Sequence, residues 1–147
     1  ARELRTRGYE VTAFDWSAEA VAWARRLDPA HAEQYHQADL FDPPARWRHR
    51  FDLVVEIHTV QSLPLERRGD CFHALADLVA NHGVVLVICR AAHEPVSDDV
   101  GPPWPLTAHE LLTHASEAGL ICEGVPAVFE DDDDPSVLRM RAVFRRG

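Results

Sequence analysis

Residues Tyr9–Ser17, Y-E-V-T-A-F-D-W-S, decide how the rest of the chain is read. Gly8 punctuates the turn before them. Val11, Ala13 and Phe14 suit a short strand in a parallel sheet, where both faces are covered. Asp15 then falls at the carboxyl end of that strand. Ligands of open α/β sheets bind at that end, and an acid there can accept both hydroxyls of a nucleotide ribose. Trp16 offers a flat surface to cover a base. Ser17 is a natural N-cap for a following helix, and Glu19 in the first turn favours the positive end of its dipole. The competing reading of Asp15 is a solvated acid at a strand end, and the remaining chain has to separate the two.

Upstream, Ala1–Arg7 (A-R-E-L-R-T-R) looks like the last turns of a helix closed by Gly8. A helix leading straight into a strand is half of a β-α-β unit, and the strand that should precede it is not in the sequence. The only methionine is Met140, so the chain is expected to be a piece of a longer reading frame. Downstream, Ala20, Val21, Ala24 and Leu27 recur at helical spacing before Pro29. Tyr35–Ala38 reads as a second short strand with Asp39 and Leu40 at its end. Phe51–Ile57, F-D-L-V-V-E-I, is a buried strand, and Pro64–Ala80 a helix with Leu65, Phe72, Leu75, Ala76 and Val79 on one face. Val84–Cys89 is apolar throughout, as in a strand covered on both faces.

A proline-rich loop, Ala91–Leu106, follows. Thr107 and Glu110 then form a capping box for the helix Ala108–Ala118, closed by Gly119. Leu120–Phe129 reads as one strand interrupted at Pro126. After a turn at Asp131–Pro135, Ser136–Arg145 alternates. Leu138, Met140, Ala142 and Phe144 fall to one side, Arg139, Arg141, Val143 and Arg145 to the other. Period two with charge on one face predicts an antiparallel strand with a solvated side. The expected fold class is therefore α/β, a single domain over residues 1–147 whose mostly parallel sheet ends in a β-hairpin.

Composition narrows the chemistry. The 147 residues carry a net charge of −9, which argues against a nucleic-acid footprint. All 15 basic residues are arginine, so no Schiff-base lysine, lysine base or P-loop lysine is available. The cysteines at 71, 89 and 122 are odd in number and widely spaced, as expected of free thiols in a reducing cytosol. No apolar run reaches membrane-spanning length. Asp131–Asp134 lacks the glycine and spacing of a calcium loop and reads as a turn. His109 and His114 are five apart, off the shared face that a helical zinc pair needs.

A run of β-α units closing in a hairpin resembles the class I S-adenosylmethionine-dependent methyltransferases, with a Rossmann-like sheet. The acid and aromatic residue at Asp15 and Trp16 match the end of that family's second strand. Ala38–Leu40, A-D-L, resembles the place where an acid meets the adenine amino group beside a backbone amide. F-D-L-V-V-E followed by I-H-T-V-Q-S-L-P is similar to the fourth strand and its loop, N-H-G-V-V-L-V-I to the passage into the fifth, and W-P-L-T-A-H-E-L with A-G-L to the run into the last helix. The resemblance implies S-adenosyl-L-methionine as cofactor, bound by Asp15, Trp16, Asp39, Leu40 and Glu56. The family's first strand and glycine-rich loop are missing. That loop brings backbone amides close to the methionine end, so the chain by itself is expected to bind cofactor poorly.

Methyl transfer from a sulfonium needs alignment and exclusion of water more than catalytic groups. Glu56 and His58 are the catalytic candidates: Glu56 as a contact to cofactor or substrate, His58 as a proton acceptor whose ordinary pKa lies near neutrality. His58, Gln61 and Trp104 are the candidates for a substrate pocket. No N-P-P-Y tetrapeptide follows Glu56, which with the acidic balance points to a small-molecule acceptor. The E-I-H-T-V-Q-S-L-P run is reminiscent of the thiopurine and thiol methyltransferase-like branch. Two rivals remain: a nicotinamide-dependent oxidoreductase, which also carries an acid after its second strand, and a degenerate, non-catalytic binding module.

Overall fold

The computed structural model describes residues 1–97, 99 and 101–147. The chain divides into two compact units, Ala1–Pro44 and Ala45–Gly147.

In the first unit, α1 (Arg2–Thr6) ends at Gly8, whose positive φ of 88° lets Gly8 N–H and Tyr9 N–H bond back to the Arg5 and Leu4 carbonyls at 2.8 and 3.1 Å. The predicted strand is shorter than its apolar pattern: β1 is Ala13–Asp15, because only these three residues find partners, in the parallel strand β2 (Tyr35–Gln37). Between them α2 (Ala18–Leu27) starts on Ser17, whose hydroxyl accepts from Ala20 N–H at 3.2 Å. A 3-10 turn, Pro29–Gln34, follows α2. A polar knot ties these pieces. Arg5 pairs with Asp28 and donates to Tyr35 Oη at 2.6 Å, while Tyr35 Oη donates to Asp28 at 2.9 Å.

The second unit is a five-stranded sheet with helices α3 (Arg68–Leu78) and α4 (Ala108–Glu117). Strands β3 (Phe51–Ile57), β4 (Val79–Arg90), β7 (Leu138–Arg146) and β5 (Leu120–Cys122) lie in the order β3-β4-β7-β5, and β6 (Ala127–Glu130) also pairs with β7. β3 and β4 are parallel; β7 is antiparallel to β4, β5 and β6. Mixed pairing of this kind, parallel strands closing in an antiparallel hairpin, is the expected α/β architecture. β3 stands at one end of its order and β1 pairs only with β2, so the two parallel pairs belong to separate sheets.

Alternation in β7 reads out as drawn from the sequence: Met140, Ala142 and Phe144 are buried, Arg141 and Arg145 exposed. Phe144 meets Phe72 of α3 edge to face at 6.3 Å, with Leu75, Val85, Val87, Leu111 and Ala115 buried in the same unit. Each such apolar side chain contributes about 1.5–3 kcal/mol when fully buried.

Several boundaries move. α3 ends at Leu78 rather than Ala80, because Val79 already pairs with Phe51. The residues before Leu53 and Val84 then fall out of register, and Gly83 sits where an added Cβ would lie 2.7 Å from Val79 Cγ2. On β4, Val84, Leu86 and Ile88 are half-buried while Val85, Val87 and Cys89 are fully buried, so only one face is sealed as the all-apolar run implied. The predicted Leu120–Phe129 strand is two strands, separated by the Gly124 turn (φ 83°) and Pro126.

The proline-rich excursion leaves and rejoins the sheet at one point. Ala91 bridges Leu106, Ala92 N–H bonds to the Leu106 carbonyl at 2.9 Å, and Leu106 N–H to the Arg90 carbonyl at 3.0 Å. Thr107 then caps α4 with the predicted reciprocal box to Glu110.

Candidate functional site

Two sets of candidate residues emerge, one in each unit. In the first unit, parallel β1 and β2 place Asp15 and Asp39 at the same carboxyl edge: Asp15 pairs in register with Gln37, and Ala38 N–H bonds to the Asp15 carbonyl at 3.1 Å. Each carboxylate is held by the backbone two residues on. Asp15 Oδ1 accepts from Ser17 N–H at 2.8 Å, and Asp39 Oδ1 accepts from Phe41 N–H at 2.9 Å. Such turns fix one oxygen and leave Oδ2 of each as an acceptor. Trp16, between Asp15 and Ser17, is 72 % exposed, with its carbonyl held by Gln37 Nε2 at 3.2 Å. Leu40 is half-buried beside Asp39. Of the arginines in this unit, Arg5 is committed to Asp28, and Arg25 donates to the Tyr35 carbonyl at 2.6 Å.

In the second unit, Glu56, His58, Gln61 and Trp104 cluster around the ends of β3 and β4. Glu56 is 4 % exposed. Its Oε1 accepts from Thr59 N–H and from Val60 N–H, the latter at 3.2 Å, so the carboxyl organises the 3-10 turn Val60–Ser62 from beneath. Oε2 is buried without a partner among the described residues. Burial pushes the carboxyl up to about 7, against the pull of the two backbone amides. The neighbouring thiols of Cys71 and Cys89 are pushed up to about 12, first by burial and then by Glu56. They are inert at neutral pH.

His58 sits on a left-handed backbone (φ 68°), held by its N–H to the Ile88 carbonyl at 2.9 Å. Its Nε2 accepts from Arg139, which also pairs with Asp131. The nitrogen a base would use is therefore occupied. Burial, then the charges of Arg139 and Arg90, keep the imidazole below its ordinary pKa and so neutral. Gln61 is buried as a strut: its Oε1 accepts from Arg90 N–H at 2.5 Å and its carbonyl from Trp104 N–H at 2.7 Å. Trp104 is half-buried, and its carbonyl accepts from Arg68 at 2.7 Å.

Arg68 is the residue that sequence reasoning missed. It is 1 % exposed, pairs with Glu110 of the capping box, and so staples α3 to α4 and to the excursion. Its helix position gave no signal, because its partners lie 36 and 42 residues away. Among the described residues no group of three or more His, Cys, Asp or Glu is placed to hold a metal. Within the Asp131–Asp134 turn, Asp131 Oδ1 accepts from the Asp133 and Asp134 amides at 3.1 Å each. No described helix is long and apolar enough to cross a membrane.

A family model described as a methyltransferase domain matches residues 1–87. No curated protein matches the chain. Among solved structures, the chain is similar to the Burkholderia thailandensis 1,6-didemethyltoxoflavin-N1-methyltransferase crystallised with its substrate and S-adenosylhomocysteine. Identity is 14 %, the TM-score is 0.76, and 99 % of this chain covers 64 % of that one. A Methanosarcina mazei SAM-dependent methyltransferase gives 12 % identity and a TM-score of 0.79, with 99 % of this chain covering 85 % of it. The geranyl diphosphate C-methyltransferase of Streptomyces coelicolor A3(2), in complex with S-adenosyl-L-homocysteine, gives 11 % and 0.75, with 99 % covering 66 %. The chain thus spans a little under two thirds of the first and third of these proteins.

Proposed function

The chain belongs to the methyltransferase domain family, an S-adenosylmethionine-dependent class I fold, and from that premise we propose that the complete protein methylates a small-molecule acceptor. The family membership removes the nicotinamide-dependent oxidoreductase. Both compact units are taken as parts of one methyltransferase-like domain, since the family match runs from residue 1 through β3 and α3 to residue 87.

One observation supports the site: Asp15 and Asp39 leave the same edge of the β1–β2 pair, each with one oxygen fixed by a backbone amide. That pair of acceptors fits the adenosine half of the cofactor. Asp15 Oδ2 suits the ribose diol, Asp39 Oδ2 and the Leu40 amide suit the adenine edge, and the exposed Trp16 indole suits its face. When bound, the cofactor supplies a methyl group on a positive sulfonium.

The residues of the second unit then work by position. Glu56 holds the Thr59–Ser62 turn from below rather than touching the cofactor. His58 accepts from Arg139 and serves to orient that guanidinium, instead of acting as a base. Gln61 and Trp104 join that turn to the excursion and wall the acceptor side. Nucleophile deprotonation then falls to solvent or to the acceptor itself. The seven glycines stand singly, and none forms a glycine-rich turn that could approach the methionine carboxylate. We therefore expect the 147-residue chain alone to bind weakly.

Calorimetry with S-adenosylhomocysteine tests this. Binding to the chain should be weaker than micromolar, and micromolar binding would contradict the impairment. At millimolar ligand, NMR shifts should gather at Asp15, Trp16, Asp39 and Leu40. Shifts confined to the second unit would overturn the adenosine assignment.

A further inference from the structure

Arg90 ends β4 directly opposite Arg139 on β7. Side chains paired directly opposite in an antiparallel ladder share one face, and like charges there repel. This pair persists in a chain of net charge −9. Arg139 is compensated by Asp131 and donates to His58. Arg90 is not compensated in the same way. Its backbone is fully engaged, N–H to Gln61 Oε1 at 2.5 Å and carbonyl to Leu106 N–H at 3.0 Å. The residue is half-buried, and its guanidinium forms no hydrogen bond or ion pair among the described residues. Asp134, whose charge feels Arg90, spends Oδ1 on Ser136 N–H and Oγ, at 3.1 and 2.6 Å.

A guanidinium has five donors and no acceptor function, and no described residue takes up those of Arg90, which leaves them open to a ligand. The arginine lies at the carboxyl end of the parallel β3–β4 pair, where ligands of such sheets bind.

We propose that Arg90 is the anchor for an oxyanion, a carboxylate or phosphoryl group, carried by the methyl acceptor. The planar fork of Arg90 takes two oxygens side by side. Arg139, fixed by Asp131 and His58, stands opposite as a second positive group. Gln61 sets the position of Arg90 through the backbone. This makes the acceptor site locally positive in a protein of net charge −9, and two arginines are too few for a polyanion track. The assignment rests on the methyl-transfer reading for the word acceptor, but the anion site itself stands on the second unit alone.

The test uses the full 147-residue chain without cofactor, so its failure leaves the methyl-transfer reading untouched, and a failed cofactor titration leaves this one untouched. Arginine Nε–Hε signals are followed by NMR while benzoate, phenyl phosphate or neutral benzyl alcohol is added. The signal missing from Arg90→Gln should move saturably with an anion and not with the alcohol. The tighter of the two anions distinguishes carboxylate from phosphoryl recognition. Arg90→Gln should weaken anion binding about tenfold or more, roughly 1.4 kcal/mol, and Arg90→Lys less. Arg141→Gln, exposed on the same strand, should leave it unchanged. Equal affinity for the alcohol, no shift with either anion, or equal losses in the Arg90 and Arg141 variants would overturn the proposal. If Arg90→Gln does not fold, Arg90→Lys, which also lacks the Nε–Hε group, identifies the signal, and the comparison of probes on the unsubstituted chain then decides the matter.

Discussion

Replacing Glu56 by glutamine should make the protein's stability less sensitive to pH. The folded carboxyl titrates at about 7 against an ordinary 4.5, because it is 4 % exposed and, among the described residues, only Oε1 has partners. Between those two pH values the unfolded chain has released this proton and the folded chain still holds it. Stability from this group is therefore complete below pH 4.5 and is lost as pH rises through about 7. At about 1.4 kcal/mol per pH unit the full interval amounts to roughly 3 kcal/mol. Glu56→Gln keeps a carbonyl oxygen for the Thr59 and Val60 amides and removes the titration. Urea unfolding at about pH 5 and about pH 8.5 should show the wild type losing roughly 2–3 kcal/mol relative to the variant across that span. Parallel pH dependence in the two proteins would show that the carboxyl is already ionised in the fold, and would refute the reasoning.

Arg68→Ala should cost about 3 kcal/mol or more, since it strips a buried partner from Glu110 and from the Trp104 carbonyl; a loss under about 1 kcal/mol in urea unfolding would mean the staple is idle. Gly83→Ala should destabilise by about 1–3 kcal/mol, because the new methyl meets Val79 Cγ2 at 2.7 Å and the Ala80 carbonyl at 2.9 Å. Gly69→Ala is the opposite case. In α3 its methyl would meet only His114 Nδ1 at 3.6 Å, so thermal unfolding should show a gain of about 0.5 kcal/mol.

Local chemistry was legible wherever a residue's neighbours in the chain are also its neighbours in space. The Ser17 cap, the Thr107–Glu110 box, the Gly8 stop and the period-two face of β7 all depend on residues within one or two turns. So did the placement of Asp15 and Asp39, since a strand end is a local property once the strands run parallel. Distant pairing was not legible. Val79 looked helical by its apolar spacing, and its capture by Phe51 depends on a ladder 28 positions away. Glu56 read as a contact to cofactor or substrate, and Gln61 as part of a substrate pocket, from their places at and just after a strand's end. Their burial follows from α3 and the excursion closing over them. His58 looked like a base because imidazole chemistry is read from residue type, while its Arg139 partner comes from β7, 81 positions on.

The narrow neck of the excursion after β4 has an evolutionary consequence. Its two ends are fastened to each other by adjacent backbone bonds at Ala91, Ala92 and Leu106, so neither the strand before it nor the helix after it takes its register from what lies between. Such a closed stem lets the intervening cassette be lengthened, shortened or exchanged among descendants while the scaffold stays put. Selection for a new acceptor could act there with little risk to folding, provided that the backbone at position 104 stays within reach of Arg68.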